Sequence, residues 1–295
     1  MWIKRDDLIS VGAGGNKIRK LDYLVADALA QRADHLVTVG AEQSNHARCV
    51  AAVAAIEGLG CDLILGGRGD APVVGNLFLD RLFDARIHLV DTDDWEELER
   101  TSDSVADELR AAGKRPYVMP IGGSTPTGAL GFVAAYLELR AQLAEVGVEP
   151  SSIVHATSSG GTQAGLVVGA AGAGDAVNIV GVGVAKTARH LEGEVIEIAH
   201  GCCDLLERHH DDLRISVLDG FRGPAYAEPT AGSTAALRLL ARTEGIIVDP
   251  VYTAKALHAV IEAPPSVLGA GPIVFWHTGG LPAVFAPLQS AHLIA

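Results

Sequence analysis

The chain has 295 residues, enough for one large or two ordinary domains, and 48% of them are hydrophobic, enough to fill sizeable cores. Its net charge of -13 argues against a nucleic-acid or anionic-membrane partner, which would need clustered Lys and Arg, and no apolar run is long enough to span a bilayer. Cys49, Cys61, Cys202 and Cys203 show neither a metal-ligand spacing nor a disulfide framework, so free thiols and no metal are expected; with no secretory leader the expected location is the cytoplasm.

Gly14-Gly15-Asn16-Lys17-Ile18-Arg19-Lys20-Leu21 places Lys17 at the start of a helix behind a flexible glycine pair. Covalent amine catalysis needs an amine that reaches a bound carbonyl and swings away, and paired glycines let the backbone approach a flat cofactor. By itself the stretch is better read as a surface turn before a basic helix, and the other motifs decide. Leu36 to Val39 then reads as a buried strand, Gly40 to Ser44 as a turn, Ala47 to Glu57 as a helix and Asp62 to Leu65 as a strand, together a βαβ unit. Within the turn, Ser44 or Asn45 can cap the helix and leave N–H groups for a substrate carboxylate, although ordinary capping and a solvent-facing His46 account for it as well.

Strands are expected again at Arg86 to Val90, Arg115 to Ile121, Ser152 to His155, Val177 to Val184 and Pro272 to Trp276, with Ile246 to Val248 also strand-like. Short strands alternating with helix-length segments predict parallel sheets covered by helices, with the ligand site beyond the carboxyl ends of the strands. The glycine-rich stretches near Gly67 and Gly172 read as loops, and Gly122 to Gly131 as the crossing between two domains. Thr157-Ser158-Ser159-Gly160-Gly161-Thr162-Gln163-Ala164-Gly165 follows a strand and opens a helix, a turn able to hold phosphate on backbone N–H groups, a helix dipole and hydroxyls. It matches neither a Walker loop nor a dinucleotide fingerprint, and a plain polar βα loop would look similar. Asp249-Pro250-Val251-Tyr252-Thr253 and His277-Thr278-Gly279-Gly280 also lie at strand ends, where a capped turn and a core tyrosine are the simplest explanations.

In this order, with Trp2 to Asp7, Gln43 to His46 and Gly122 to Ser124, the motifs resemble the pyridoxal-phosphate enzymes of fold type II that comprise D-cysteine desulfhydrase and 1-aminocyclopropane-1-carboxylate deaminase, over nearly the whole chain. The resemblance implies an α/β chain of two domains, each an open, mostly parallel twisted sheet covered by helices, with pyridoxal phosphate in the cleft between them. Residues 1–17 and 131–295 would form the large domain and 18–130 the small one, and the protein would be a homodimer. Relatives carry a few dozen further residues upstream, so the N-terminal part of the large domain is expected to be missing, and Met1 precedes a strand that reads as interior.

The same resemblance implies that Lys17 attaches the cofactor, that Ser159, Gly160, Gly161 and Thr162 bind its phosphate, and that Asn45 lies beside the ring. Ser44 would receive the substrate carboxylate, Tyr252 and Tyr226 would stand near the substrate from two sides, and Thr253 and Thr278 would contact the cofactor, Thr253 facing the ring nitrogen. The deaminase branch resembles a Glu and a Leu at these last two places, so both side with β-elimination from D-cysteine to pyruvate, sulfide and ammonia. L-cysteate, the cyclopropane amino acid and a non-catalytic cofactor-binding relic are the alternatives, and either Lys17 or a tyrosine could be the base. Ser158, Ala225 and Ala227 stand where the family usually has glycine, which strains any of them that needs a positive φ.

Overall fold

A computed structural model describes residues 1–69, 72–210 and 213–286. In chain order, β1 (Trp2–Arg5) precedes α1 (Lys17–Ala30), β2 (His35–Ala41), α2 (Asn45–Glu57), β3 (Gly60–Gly66), α3 (Gly75–Leu82), β4 (Arg86–Val90), α4 (Trp95–Ala111) and β5 (Pro116–Met119). Then follow α5 (Pro126–Glu145), β6 (Ser152–Thr157), α6 (Gly161–Ala173), β7 (Asn178–Gly183), α7 (Ala188–Leu205), β8 (Ser216–Leu218), α8 (Ala231–Glu244), α9 (Thr253–Glu262), α10 (Pro265–Leu268) and β9 (Ile273–His277).

The strands form two sheets, one of five in the order β1-β9-β6-β7-β8 and one of four in the order β4-β3-β2-β5. Every pairing is parallel. Parallel strands are covered on both faces, which is why β2 and β3 are near-continuous apolar runs buried along their length. In the smaller sheet, Leu36 and Leu63 pack with Leu21, Leu24 and Val25 of α1 and Val50 of α2, while Val37, Val39 and Ile64 pack on Leu98 and Val105 of α4. The larger sheet is covered by α8 and α9 on one face and by α5, α6 and α7 on the other.

Local signals set the helix ends. Ser44 caps α2 by accepting from Ala47 N at 3.1 Å, and Gly58 (φ 67) ends it in the left-handed region. Asp94 caps α4, whose first turn carries Glu96 and Glu97, and Thr125 caps α5 ahead of Pro126.

Four expectations need correction. Ile246 to Val248 joins no strand; it is extended after the left-handed Gly245, and the Ile247 carbonyl accepts from His277 Nε2 at 3.0 Å instead of a ladder partner. Strand β8 was not foreseen, being three residues long and only half-buried. Gly172 belongs to α6, which runs to Ala173 and ends at the left-handed Gly174. β1 forms one edge of its sheet, paired only with β9 among the described residues. All four cysteines are free and buried.

Candidate active site

The carboxyl ends of strands from both sheets converge on a cavity of about 630 Å³. Gly40, Ala41 and Ile121 line it from the four-stranded side, and Ala156, Thr157 and Thr278 from the five-stranded side. This is where parallel α/β sheets hold ligands, because the strand ends and helix N-termini together present unpaired N–H groups.

Lys17 heads α1 on this cavity. Its seat is shaped by Gly14 (φ 77) and Gly15 (φ 111), both in the half of backbone space that favours glycine. Asn16 N donates to the Thr278 carbonyl at 3.0 Å, and a Cβ on Gly279 would come within 2.6 Å of Gly15 Cα, so the loop before Lys17 and the loop after β9 touch backbone to backbone. Arg19 fixes the first turn of α1 to the buried Asp6 at 2.9 Å and to Glu138 at 2.8 Å. The Lys17 amine makes no hydrogen bond or ion pair among the described residues. Burial pushes it down to about 8, against a small upward pull from Cys49.

Three residues on from Lys17, on the same helix face, Lys20 is buried and donates to Ser124 Oγ at 2.9 Å and to the Gly122 carbonyl at 3.0 Å. Ser124 Oγ also lies 2.7 Å from Ser159 Oγ and accepts from Gly161 N at 3.3 Å. The N-cap of α6 is Gly160 (φ 76), which has no side chain to cap the helix, and a Cβ on Gly161 would approach both Lys20 Nζ and Ser124 Oγ to 2.9 Å. An uncapped helix start ringed by two serine hydroxyls, Thr162 and a lysine is a seat for a phosphate dianion. Ser158 also lines the cavity, and its φ is not positive, so its Cβ introduces no backbone strain.

Across from this cradle, Ser44 and Asn45 begin α2 on the cavity wall. Asn45 Oδ1 accepts from Asn76 Nδ2 at 2.9 Å; Asn76 also accepts from Arg48 Nε at 2.9 Å, and Arg48 Nη1 donates to the Gly14 carbonyl at 2.9 Å and to that of Gly12. One buried network therefore holds both Asn45 and the loop that carries Lys17. His46 is buried rather than solvent-facing, and both its ring nitrogens lack a hydrogen-bond partner among the described residues.

At the far wall, Asp249 accepts from the N–H groups of Val251, Tyr252 and Thr253 at 2.9 Å, a turn that aims Tyr252 into the cavity. The Tyr252 hydroxyl is hydrogen-bonded to that of Tyr226, and both residues line the cavity. Burial, then the neighbouring Tyr226, pushes the Tyr252 phenol well above its usual value. Ala227, next to Tyr226, adopts φ 64, a left-handed conformation that strains any residue with a Cβ, while Ala225 does not.

Of the residues expected at the site, Lys17, Ser44, Asn45, Ser159, Gly160, Thr162, Tyr226, Tyr252 and Thr278 line one cavity. Gly161 lies behind the lining. So does Thr253, whose hydroxyl is engaged by Asp249, donating to Asp249 Oδ1 at 2.6 Å and accepting from Asp249 N at 2.7 Å. Lys20, Ser124, Asn76 and Asp249 were missed as contributors; the three-residue spacing of Lys17 and Lys20 was the available signal for Lys20.

The sequence model of the pyridoxal-phosphate dependent enzymes matches residues 1–279, and the chain belongs to that family. The fold is their fold type II, as in a crystal structure of an ACC deaminase homologue that superposes with a TM-score of 0.90 at 37% identity, over 96% of this chain and 85% of that one. D-cysteine desulfhydrase of Klebsiella pneumoniae (strain 342) is 42% identical over 97% of this chain and 88% of its own length. D-cysteine desulfhydrase of Yersinia pestis (strain Pestoides F) is also 42% identical, with the same coverage.

The residues fit pyridoxal phosphate. The cradle supplies a lysine, hydroxyls and a helix start for the phosphate, and Lys17 an unengaged amine for the aldehyde; burial and the nearby Lys17 push the Lys20 amine well below its usual value, and a phosphate dianion beside it would favour its charged form. Thr157 Oγ1 and both nitrogens of His46 are buried on the cavity wall without a protein partner, the condition of polar groups that a ligand satisfies.

Proposed function

We propose that the protein is a carbon–sulfur lyase that eliminates the β-substituent of a small amino acid, D-cysteine foremost, to give pyruvate, sulfide and ammonia. The observation that carries this reading is the Lys17 amine, pushed down to about 8 and without a hydrogen bond among the described residues, in one cavity with Ser159, Gly160 and Thr162, which Lys20 and Ser124 back from behind. Its likeness to the D-cysteine desulfhydrases at 42% identity supports the choice of substrate.

Pyridoxal phosphate, when bound, supplies an aldehyde for amine exchange and an electron sink for Cα. Lys20, Ser124, Ser159, Gly160, Gly161 and Thr162 hold the phosphate, while Asn45, Thr253 and Thr278 belong to the cofactor surround, Thr253 acting through Asp249. Ser44 and the start of α2 take the substrate carboxylate and so present the Cα–H bond to Lys17. Tyr252 holds its proton at neutral pH, because its phenol is pushed well up, and can only donate, whereas Lys17 can accept. Lys17 is therefore the base at Cα, and the Tyr252–Tyr226 pair offers a proton to the departing sulfur. Cα–H and Cβ–S break, the C–S electron pair leaves with sulfur, and one water hydrolyses the unsaturated amine to pyruvate and ammonia.

L-cysteate ranks lower. Its sulfonate brings a second negative charge to a mouth lined by Asp93, Asp94, Glu96 and Glu99. Residues 1–17 with 131–295 and residues 18–130 are taken as the two domains, of which 70–71, 211–212 and 287–295 lie outside the described residues, and the active species as a cytoplasmic homodimer. The test is turnover: cofactor-loaded protein should release pyruvate and sulfide from D-cysteine, and Lys17→Ala should not. Full turnover by Lys17→Ala would exclude the mechanism.

A further inference from the structure

Beside the main cavity lies a second, of about 500 Å³, that the proposed reaction does not use. The two share Ala41, Asp93, Trp95 and Tyr226 as lining. Trp95 is the first residue of α4 and packs on the cluster of Val37, Val39, Ile64 and Leu98, which fixes its indole to the four-stranded side. From there it meets Tyr226 edge-on, with ring centroids 6.1 Å apart and planes at 89°. Tyr226 in turn meets Tyr252 at 6.3 Å, and their hydroxyls are hydrogen-bonded. Three rings thus bridge the cleft, and the first contact of that bridge is the partition between the two cavities.

We propose that Trp95 is the residue that sets how large a Cβ substituent the enzyme accepts. Braced against Tyr226, the indole ends the substrate space at the size of a thiol, and the second cavity is the room that a longer thioether enters once the indole is gone. This rests on the reading of the site as one for β-elimination from a small amino acid. For a thioether the bonds are the same: Cα–H and Cβ–S break, the thiolate leaves with the C–S pair and takes a proton, and water completes the release of pyruvate and ammonia.

The test uses cofactor-loaded wild type, Trp95→Ala and Trp95→Phe. Pyruvate formation is followed from D-cysteine and S-benzyl-D-cysteine, and binding of the non-eliminating D-alanine and D-phenylalanine by the cofactor absorbance. The ratio of kcat/KM for S-benzyl-D-cysteine over D-cysteine should rise about tenfold or more in Trp95→Ala, and less in Trp95→Phe. D-phenylalanine binding should tighten relative to D-alanine in step. Unchanged ratios in either soluble variant would overturn the proposal, as would a wild type that already handles S-benzyl-D-cysteine as well as D-cysteine. If Trp95→Ala is insoluble, Trp95→Phe decides alone. A wild type that forms no pyruvate defeats the elimination reading, and the binding ratios then still decide whether Trp95 limits size.

Discussion

An ordinary lysine, near 10.5, is almost wholly protonated at neutral pH and cannot attack a carbonyl; desolvation brings Lys17 to about 8 and makes roughly a tenth of it neutral at pH 7. The rate at which stripped protein recaptures pyridoxal phosphate should therefore climb with pH through about 8 and level off above it, as read from the cofactor absorbance. A profile still climbing towards 10 would mean that Lys17 is an unperturbed amine. Lys20 has a separate task. Its hydrogen bonds to the Gly122 carbonyl and Ser124 Oγ hold the phosphate cradle together and are each worth about 0.5–1.5 kcal/mol. Lys20→Ala should thus raise the pyridoxal phosphate concentration for half-saturation at least about tenfold by equilibrium titration. If saturation is unchanged, the phosphate sits elsewhere.

Among the elements, α3 contributes the least expected stress. Asp80 is fully buried, neither carboxylate oxygen has a hydrogen-bond partner among the described residues, and burial pushes it up to about 8, only partly opposed by Arg48. An unfolded Asp titrates near 3.8, so between that value and about 8 the folded chain binds the extra proton, and stability falls as pH rises across this window. The slope approaches about 1.4 kcal/mol per pH unit for one full proton. Asp80→Asn should flatten it, measured by thermal unfolding from pH 5 to 8; an unaltered slope would show that another group is responsible. The interior parallel strands were legible in the sequence because burial on both faces makes them apolar runs, as Leu36 to Val39 and Leu63 to Leu65 illustrate. Ile246 to Val248 has the same composition but follows a helix-ending glycine and finds no ladder. Motif positions such as Lys17, Ser44 and Tyr252 could be read locally. Asn76 and Arg48 could not, since their role comes from a network joining Gly14, Asn45 and α3 across distant parts of the chain. Thr253 shows the opposite limit: its position in the motif is right, but its hydroxyl is engaged by Asp249 rather than by the cavity.

For the molecule as a whole, the four carboxylates at the cleft mouth act together with the net charge of -13. Discrimination between zwitterionic D-cysteine and anionic L-cysteate should then contain an electrostatic share that shrinks with salt, since charges beyond about 8 Å are screened at physiological ionic strength. The ratio of kcat/KM for the two should narrow between low and high salt, and further in Glu96→Lys; a salt-independent ratio would assign the selectivity to contacts inside the cavity. One more consequence follows from the loop before Lys17 lying against Gly279. The seat of Lys17 is thus built from two distant parts of the sequence: a chain lacking Thr278 and Gly279 would keep the amine but lose the backbone it rests on, and an unburied amine of that kind stays almost wholly protonated at neutral pH.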